Sequence, residues 1–431
     1  MSELQQSKPT NIFQSFRILK GNTRVSVMLE PLWGIPFVLY NFYLSLYMKE
    51  LGVTDKQIGY IIAIGFIAGT IFSMFGGTIT DRLGRKKTTF IFDFISWPGA
   101  LIIYLFANSF WVFALATIIN SVVRIVSVSW NLMVVEDADG EQRVAAFNLL
   151  SIINISTGVL IPLAGILVNS FGVVKAERVF LVFAIISMST MMIVRNRLYT
   201  ETGVGQKIID ERRSNPVKRS IKHIFPIKAA RTFMKSPKAI LVVCLFVLFN
   251  LYIPLGTLNR LYFAPFMTDV LTLSKPMISI LGGVYSAALF VVFVFINPFI
   301  SKFNKTITMI LGIIIQAIAL GLLISIPKDS MISAVLCIMV FAAGFGVFRP
   351  LIDSLLAEVT EGNERAGIYS IVNTATCIAT ALIGIVSGSL YVLNPKLLYI
   401  VSVAILLICV IILIYVYRAD FKIESDKNVG L

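Results

Sequence analysis

The chain has 431 residues, 57% of them hydrophobic and 14% charged, with net charge +14 and mean hydropathy +0.86. That composition excludes an ordinary soluble domain and a disordered chain, and belongs to a protein that crosses a bilayer many times. The positive excess is explained by basic loops facing anionic lipid rather than by a nucleic-acid surface.

In chain order, a tail over 1–25 comes first. It carries Lys8, Arg17, Lys20 and Arg24 without a small-residue cleavage signature, so the first span reads as an uncleaved insertion signal. A helix needs about 20 apolar residues to cross a bilayer. Twelve such runs are predicted: 26–48, 58–80, 88–107, 110–134, 145–169, 179–198, 239–267, 277–301, 306–327, 331–357, 366–392 and 397–417. They are continuous rather than alternating, which excludes a β-barrel. The fold class is therefore an all-α membrane protein, with six-helix bundles at 26–198 and 239–417 and a tail at 418–431. The basic linker 199–238 holds Arg212, Arg213, Lys218, Arg219 and Lys222, and an amphipathic stretch (Ile221, Ile224, Phe225, Ile227) suited to lie on headgroups. Of the 37 Lys and Arg, twenty-seven fall on the side of the termini and seven on the other, so both termini are expected in the cytoplasm. Cys244, Cys337, Cys377 and Cys409 all lie in apolar spans and His223 in a loop, so neither disulfides nor a metal site is expected. No phosphate-binding G-x-x-x-x-G-K-[ST] loop occurs, and no cofactor or catalytic residue is expected; the energy source must be a gradient or the substrate itself.

The halves repeat. Glu136-Asp-Ala-Asp-Gly-Glu-Gln-Arg143 matches Glu358-Val-Thr-Glu-Gly-Asn-Glu-Arg365, and Phe42–Met48 echoes Leu261–Met267. Duplicated bundles with a midplane site between them are a transporter architecture.

Between the second and third runs, residues 77–86 read Gly-Thr-Ile-Thr-Asp-Arg-Leu-Gly-Arg-Lys. The pattern G-x-x-x-D-R-x-G-R-K, filled at Gly77, Asp81, Arg82, Gly84, Arg85 and Lys86, resembles the loop between spans 2 and 3 of major facilitator superfamily transporters. The resemblance covers about 26–417 and implies that fold, and a gating role for the loop. Gly77 would let span 2 pack closely on the other half. Asp81 would cap span 2 and face the N-terminus of span 11, whose dipole favours a carboxylate by about 0.3–1 kcal/mol. Gly84 supports the tight turn. Arg85 is placed to reach Glu136 or Asp137.

Charges within spans are functional candidates, since a centred one costs about 2.5–3.5 kcal/mol to insert. They are Glu30, Asp93, Arg124, Arg260, Arg349 and Asp353. Arg349 and Asp353, at i,i+4, can pair on one helix face, and Asp93, near the interface, reads as structural. Asn120, Arg124, Ser127 and Asn131 form one stripe along span 4. In the resembled fold, spans 1, 4, 7 and 10 line the cavity, and Arg124 matches the arginine of an R-x-x-Q-G motif linked to proton coupling. Here Ser127 and Val128 replace its Gln and Gly. Span 1 offers Glu30, Trp33, Phe37, Tyr40 and Asn41, in a helix that Pro31 and Pro36 should kink. A carboxyl desolvated among aromatics suits proton uptake and release, making Glu30 the first proton-carrier candidate, or else a structural partner of Arg124. Asp353 is a further coupling candidate. Asn250, Asn259, Arg260, Arg349, Tyr369 and Asn373 complete the cavity candidates, a set suited to a sugar or an amphipathic drug.

Span 5 keeps only Pro162 and Gly165 of the family's antiporter pattern G-x-x-x-G-P-x-x-G-G, a hint of export. The expectation is proton-coupled efflux of a small amphipathic compound by a monomer in a bacterial cell membrane. The alternatives are proton-linked uptake of a sugar-like or organic-anion metabolite, and a transport-inactive receptor. No nucleic acid is expected as a partner.

Overall fold

The structure is a computed structural model describing residues 12–214, 237–256, 260–300, 303–359 and 365–429. Eleven helices among these residues are long and apolar enough to cross a membrane. Spans 1 to 6 are Gly21–Glu50, Asp55–Leu83, Arg85–Leu105, Phe110–Val135, Gly140–Phe171 and Val173–Leu198. Spans 8 to 12 are Lys275–Ile300, Lys305–Ser325, Met331–Leu356, Arg365–Leu393 and Lys396–Arg418. The twelfth expected run is the difference. Span 7 comprises the helix Pro237–Gly256, 20 residues long, and beyond it a short helix Phe263–Asp269. The amphipathic stretch at 221–227 lies outside the described residues.

Several spans change pitch next to prolines. Span 3 widens into a π-turn at Ile95–Gly99 around Pro98. Span 5 tightens at Gly158–Leu160 just before Pro162, and span 8 widens at Val292–Ile296 before Pro298. Proline cannot donate its N–H and its ring crowds the preceding turn, so the ladder changes register there. Pro31 and Pro36, by contrast, sit inside the unbroken helix of span 1.

The exterior is apolar: Trp111, Ile332 and Leu393 are among the most exposed side chains. Aliphatic side chains there suit hydrocarbon, while one buried apolar cluster runs through both halves.

The halves meet through spans 2 with 11 and 5 with 8. Small residues make these approaches possible. A Cβ on Gly59 would lie 2.6 Å from the Gly384 carbonyl oxygen and 2.9 Å from the Gly388 nitrogen. Gly165 faces Ser279, and Gly283 faces Pro162. For Gly77 the described residues show no close partner. Among the described residues nothing lies within 4 Å of its Cβ position, whereas a Cβ on Gly76 would touch Val128 of span 4 at 3.0 Å. One residue turns a helix by about 100°, so Gly76 faces a helix of its own half while Gly77 points to a different side.

The two ends of the bundle can be named by their turns, Gly52 at one and Gly84 at the other. At the Gly52 end the halves are laced by ion pairs. Lys49 Nζ lies 2.6 Å from Asp269 and 3.1 Å from Asp55, and Lys275 Nζ lies 2.6 Å from Glu50. Tyr391 donates to Asp269 at 2.9 Å, Tyr262 to the Asp55 carbonyl at 2.9 Å, and Tyr43 to the Lys275 carbonyl at 2.5 Å.

Candidate functional site

At the Gly84 end, span 2 closes on Gly84, whose φ of 89° is left-handed territory open to glycine. Asp81 lies in the last helical turn rather than at the cap, and the turn is finished by the Gly84 N–H donating to the Thr80 carbonyl. The turn delivers Arg85 into the protein with only 3% exposure. Its Nη2 donates to Glu136 Oε1 at 3.0 Å, its Nε to Glu136 Oε2 at 3.1 Å, and its Nη1 to Asp81 at 3.3 Å. The choice between Glu136 and Asp137 is thus resolved in geometry. Asp137 instead accepts from the Gly203 N–H at 3.1 Å.

A member of this cluster was not legible in the sequence, where it falls within the linker. Glu201 accepts from the backbone N–H groups of Arg85 at 2.9 Å and Lys86 at 3.1 Å, satisfying the open N-terminus of span 3. Thr202 donates to Glu136, and the linker helix Gly203–Ser214 begins there. Gly205 packs against both Glu201 and Arg85. Arg82 is exposed and Lys86 half-buried. The start of span 11, which Asp81 was expected to face, has no described side chains.

The second cluster is a cavity of about 220 Å³ inside the N-terminal half. Glu30 and Trp33 of span 1, Asp93 and Trp97 of span 3, Val123, Val126, Ser127 and Trp130 of span 4, and Met191 and Arg195 of span 6 line it. The π-turn re-aims Trp97 into an aromatic wall. Trp33 stacks on Phe37 at 4.7 Å between centroids and meets Trp97 edge-on at 5.3 Å, and Tyr40 closes edge-on against Phe37 at 5.7 Å.

The cavity's charges pair differently from the sequence expectation. Arg195 donates to Asp93, both nearly buried, and its guanidinium lies 5.7 Å from the centre of the Tyr199 ring. Glu30, 9% exposed, accepts from Asn154 at 3.4 Å, and Arg195 is the cation that acts on it electrostatically. Arg124 is not its partner. That side chain lies along Gly69 of span 2 and makes no hydrogen bond or ion pair among the described residues. The triad Glu30–Arg195–Asp93 carries a net formal charge of −1 beside three indoles. The indole N–H of Trp33, buried and without a hydrogen-bond partner among the described residues, is a donor free for a guest.

The rest of the span-4 stripe separates. Asn120 donates to the Ser96 carbonyl at 2.8 Å, tying span 4 to the π-turn. Asn131, exposed, donates to its own helix at Ser127. In the C-terminal half Arg349 pairs with Asp353 at 3.1 Å, as their spacing suggested, and lies 5.9 Å from the Phe249 ring. Asn250 donates to its own helix, and Arg260 sits between the two helices of span 7. Asn259 and the side chains of Tyr369 and Asn373 lie outside the described residues, and Asn41 is half-buried.

Comparison with known proteins places this geometry. The sequence profile of the Major Facilitator Superfamily matches residues 33–262 and 257–430. The chain belongs to the major facilitator superfamily. It is a multi-pass membrane transporter of small molecules, not an enzyme. Over 43 residues this facilitator is 42% identical to the quinolone resistance protein NorA of Staphylococcus aureus, an alignment spanning 10% of this chain and 11% of NorA. Its fold is shared with a D-xylose–proton symporter (TM-score 0.71, 16% identity, 91% of this chain and 96% of that one). The inward-open xylose transporter XylE from E. coli (0.65, 16%, 95% and 96%) and the nucleoside transporter NupG (0.67, 14%, 93% and 100%) are similar too. At those identities the likeness concerns the fold alone.

Proposed function

We propose that this facilitator exports a small amphipathic compound in exchange for protons, by alternating access, as a monomer in a bacterial cell membrane. The Gly84 end, with its basic flanks and both termini, is then cytoplasmic. The observation that carries the reading is the cavity. A carboxyl, Glu30, sits beside a small cavity walled by indoles, next to the Asp93–Arg195 pair. Proton binding there would remove the cavity's net negative charge, which would weaken a bound cationic or polarised guest and release it. The short stretch similar to a drug-resistance protein supports the same direction.

One observation favours a second reading, proton-linked uptake of a sugar-like or anionic metabolite. Arg124 offers a guanidinium on span 4 that pairs with none of the described residues, and the shared fold includes a xylose–proton symporter.

Inverted vesicles holding an imposed pH gradient separate the two. Lipophilic compounds should collapse the gradient in wild type and not in Glu30→Gln. A response confined to sugars or organic anions, lost in Arg124→Gln instead, would replace export by uptake.

A further inference from the structure

Span 6 presents Val173, Ala176, Phe180, Leu181 and Ala184 to the interior, at the three- and four-residue steps of one helix face. Glu177 occupies the middle of that face. It is fully buried, and neither carboxylate oxygen has a hydrogen-bond partner among the described residues. Lys175 and Arg178, its basic neighbours on the helix, are exposed.

The groups that face it are phenols. Tyr40, Tyr43 and Tyr47 of span 1 are its electrostatic neighbours, and Arg178 bears on Tyr47. Tyr104 of span 3 adjoins Tyr40, and its hydroxyl is already engaged with Thr117 at 2.9 Å. The adjoining end of span 5, Ile161–Phe171, contributes no ionisable side chain. A carboxylate left ionised without a partner in such a place is untenable, whereas the neutral acid is tolerable.

Glu177 is buried within its own half, against span 1. Span 1 covers it, and the same stretch of span 1 is held to the other half by Tyr43 on Lys275, Lys49 on Asp269 and Glu50 on Lys275. We infer that parting of the halves at that end frees this stretch of span 1 to loosen from span 6 and admit water.

We propose that Glu177 is a proton-binding site that couples closure of the Gly52 end to uptake of one proton. The carboxylate binds a proton from the water on that side, becomes neutral, and is then buried as the halves close; opening returns it to water and the proton leaves. The proposal rests on alternating access, not on the direction or the identity of the cargo. Since the closed form holds one proton more, the closed-to-open ratio rises by up to about tenfold for each pH unit of acidification. The rim carboxylates Glu50, Asp55 and Asp269 act with the opposite sign: acid that neutralised them would loosen the same end. The direction of the response therefore identifies the group.

The test uses full-length protein in lipid nanodiscs with spin labels at Asn108→Cys and Lys328→Cys, exposed loop positions on the two halves at the Gly52 end, the native cysteines being replaced by serine. Pulsed electron resonance reads the distance between them without substrate, so the outcome does not depend on whether the protein exports amphipathic compounds. The expected result is a closed population that grows as pH falls in wild type, and one that is large and independent of pH in Glu177→Gln, where the amide imitates the neutral acid. A wild-type closed fraction that shrinks on acidification, or a Glu177→Gln protein that follows the wild-type curve, would overturn the proposal. Should Glu177→Gln fail to fold, infrared spectra of wild type and Glu177→Asp decide. A protonated-carboxyl band that is lost as the end opens, and displaced in Glu177→Asp, supports the site; its absence from the closed form refutes it.

Discussion

Replacing Arg195 by methionine keeps an unbranched, flexible stem and removes the charge. Arg195 and Asp93 have side-chain exposures of only 7% and 5%, and Glu30 is close enough to share the same field. Breaking such a pair from one side strands a buried carboxylate, which costs about 3–5 kcal/mol. For a unit the size of the N-terminal bundle, each kcal/mol moves the transition by about 2–4 °C, so a fall of roughly 6–20 °C is expected. Asp93→Asn combined with Arg195→Met removes both charges and should recover most of that loss. The loss should also shrink as pH falls, because protonating Asp93 and Glu30 abolishes the stranded charge. The molecule carries its own reporters: all four tryptophans (Trp33, Trp97, Trp111, Trp130) lie in the N-terminal half and all four cysteines in the C-terminal half. Tryptophan emission during heating follows the first bundle, and a thiol-reactive dye follows the second. An Arg195→Met transition within about 1 kcal/mol of wild type at alkaline pH, with no recovery in the double variant, would refute the electrostatic account.

Two other substitutions test the packing and the caps. Gly59→Leu drives a side chain into the Gly384–Gly388 backbone, which cannot move aside as a side chain would. Overpacking costs about 1–3 kcal/mol, so disulfide formation between Glu50→Cys and Lys275→Cys should slow roughly 5- to 150-fold in a Gly59→Leu background. Asp139 caps span 5 by accepting from the Gln142 N–H at 2.8 Å, and that bond holds its carboxyl below the usual range. A depressed folded value means that the cap acts above the ordinary carboxylate range and is lost as pH falls through the folded value. Exchange of the Gln142 amide should accelerate in acid beyond its intrinsic trend, and Asp139→Asn should remove the pH dependence while keeping an acceptor.

What could be read in the sequence, and what could not, divides along a physical line. Continuous apolar runs and a filled decapeptide are local signals, and they led to the right fold and to Arg85 reaching the end of span 4. Pairings between distant spans depend on helix rotation and register, which local signals do not carry. Arg195 looks like a terminal basic residue until span 6 is seen to place it opposite Asp93. A boundary set at 179 made Glu177 a loop residue, although its three- and four-residue spacing from Val173, Phe180 and Leu181 puts it on the apolar face. Lys49 and Asp269 are 220 residues apart in sequence, and nothing near either one announces the other.

Glu201 and Gly205 give the connection between the halves an unexpected character. The strap that leaves span 6 does not hang free: its first residues hold the backbone start of span 3 and press on Arg85 before the chain continues toward span 7. A pull along the chain from the second bundle would therefore reach the Asp81–Arg85–Glu136 cluster first. The connection and the Gly84 turn share one foothold, and as a packed unit the first half runs on through the linker helix to Ser214.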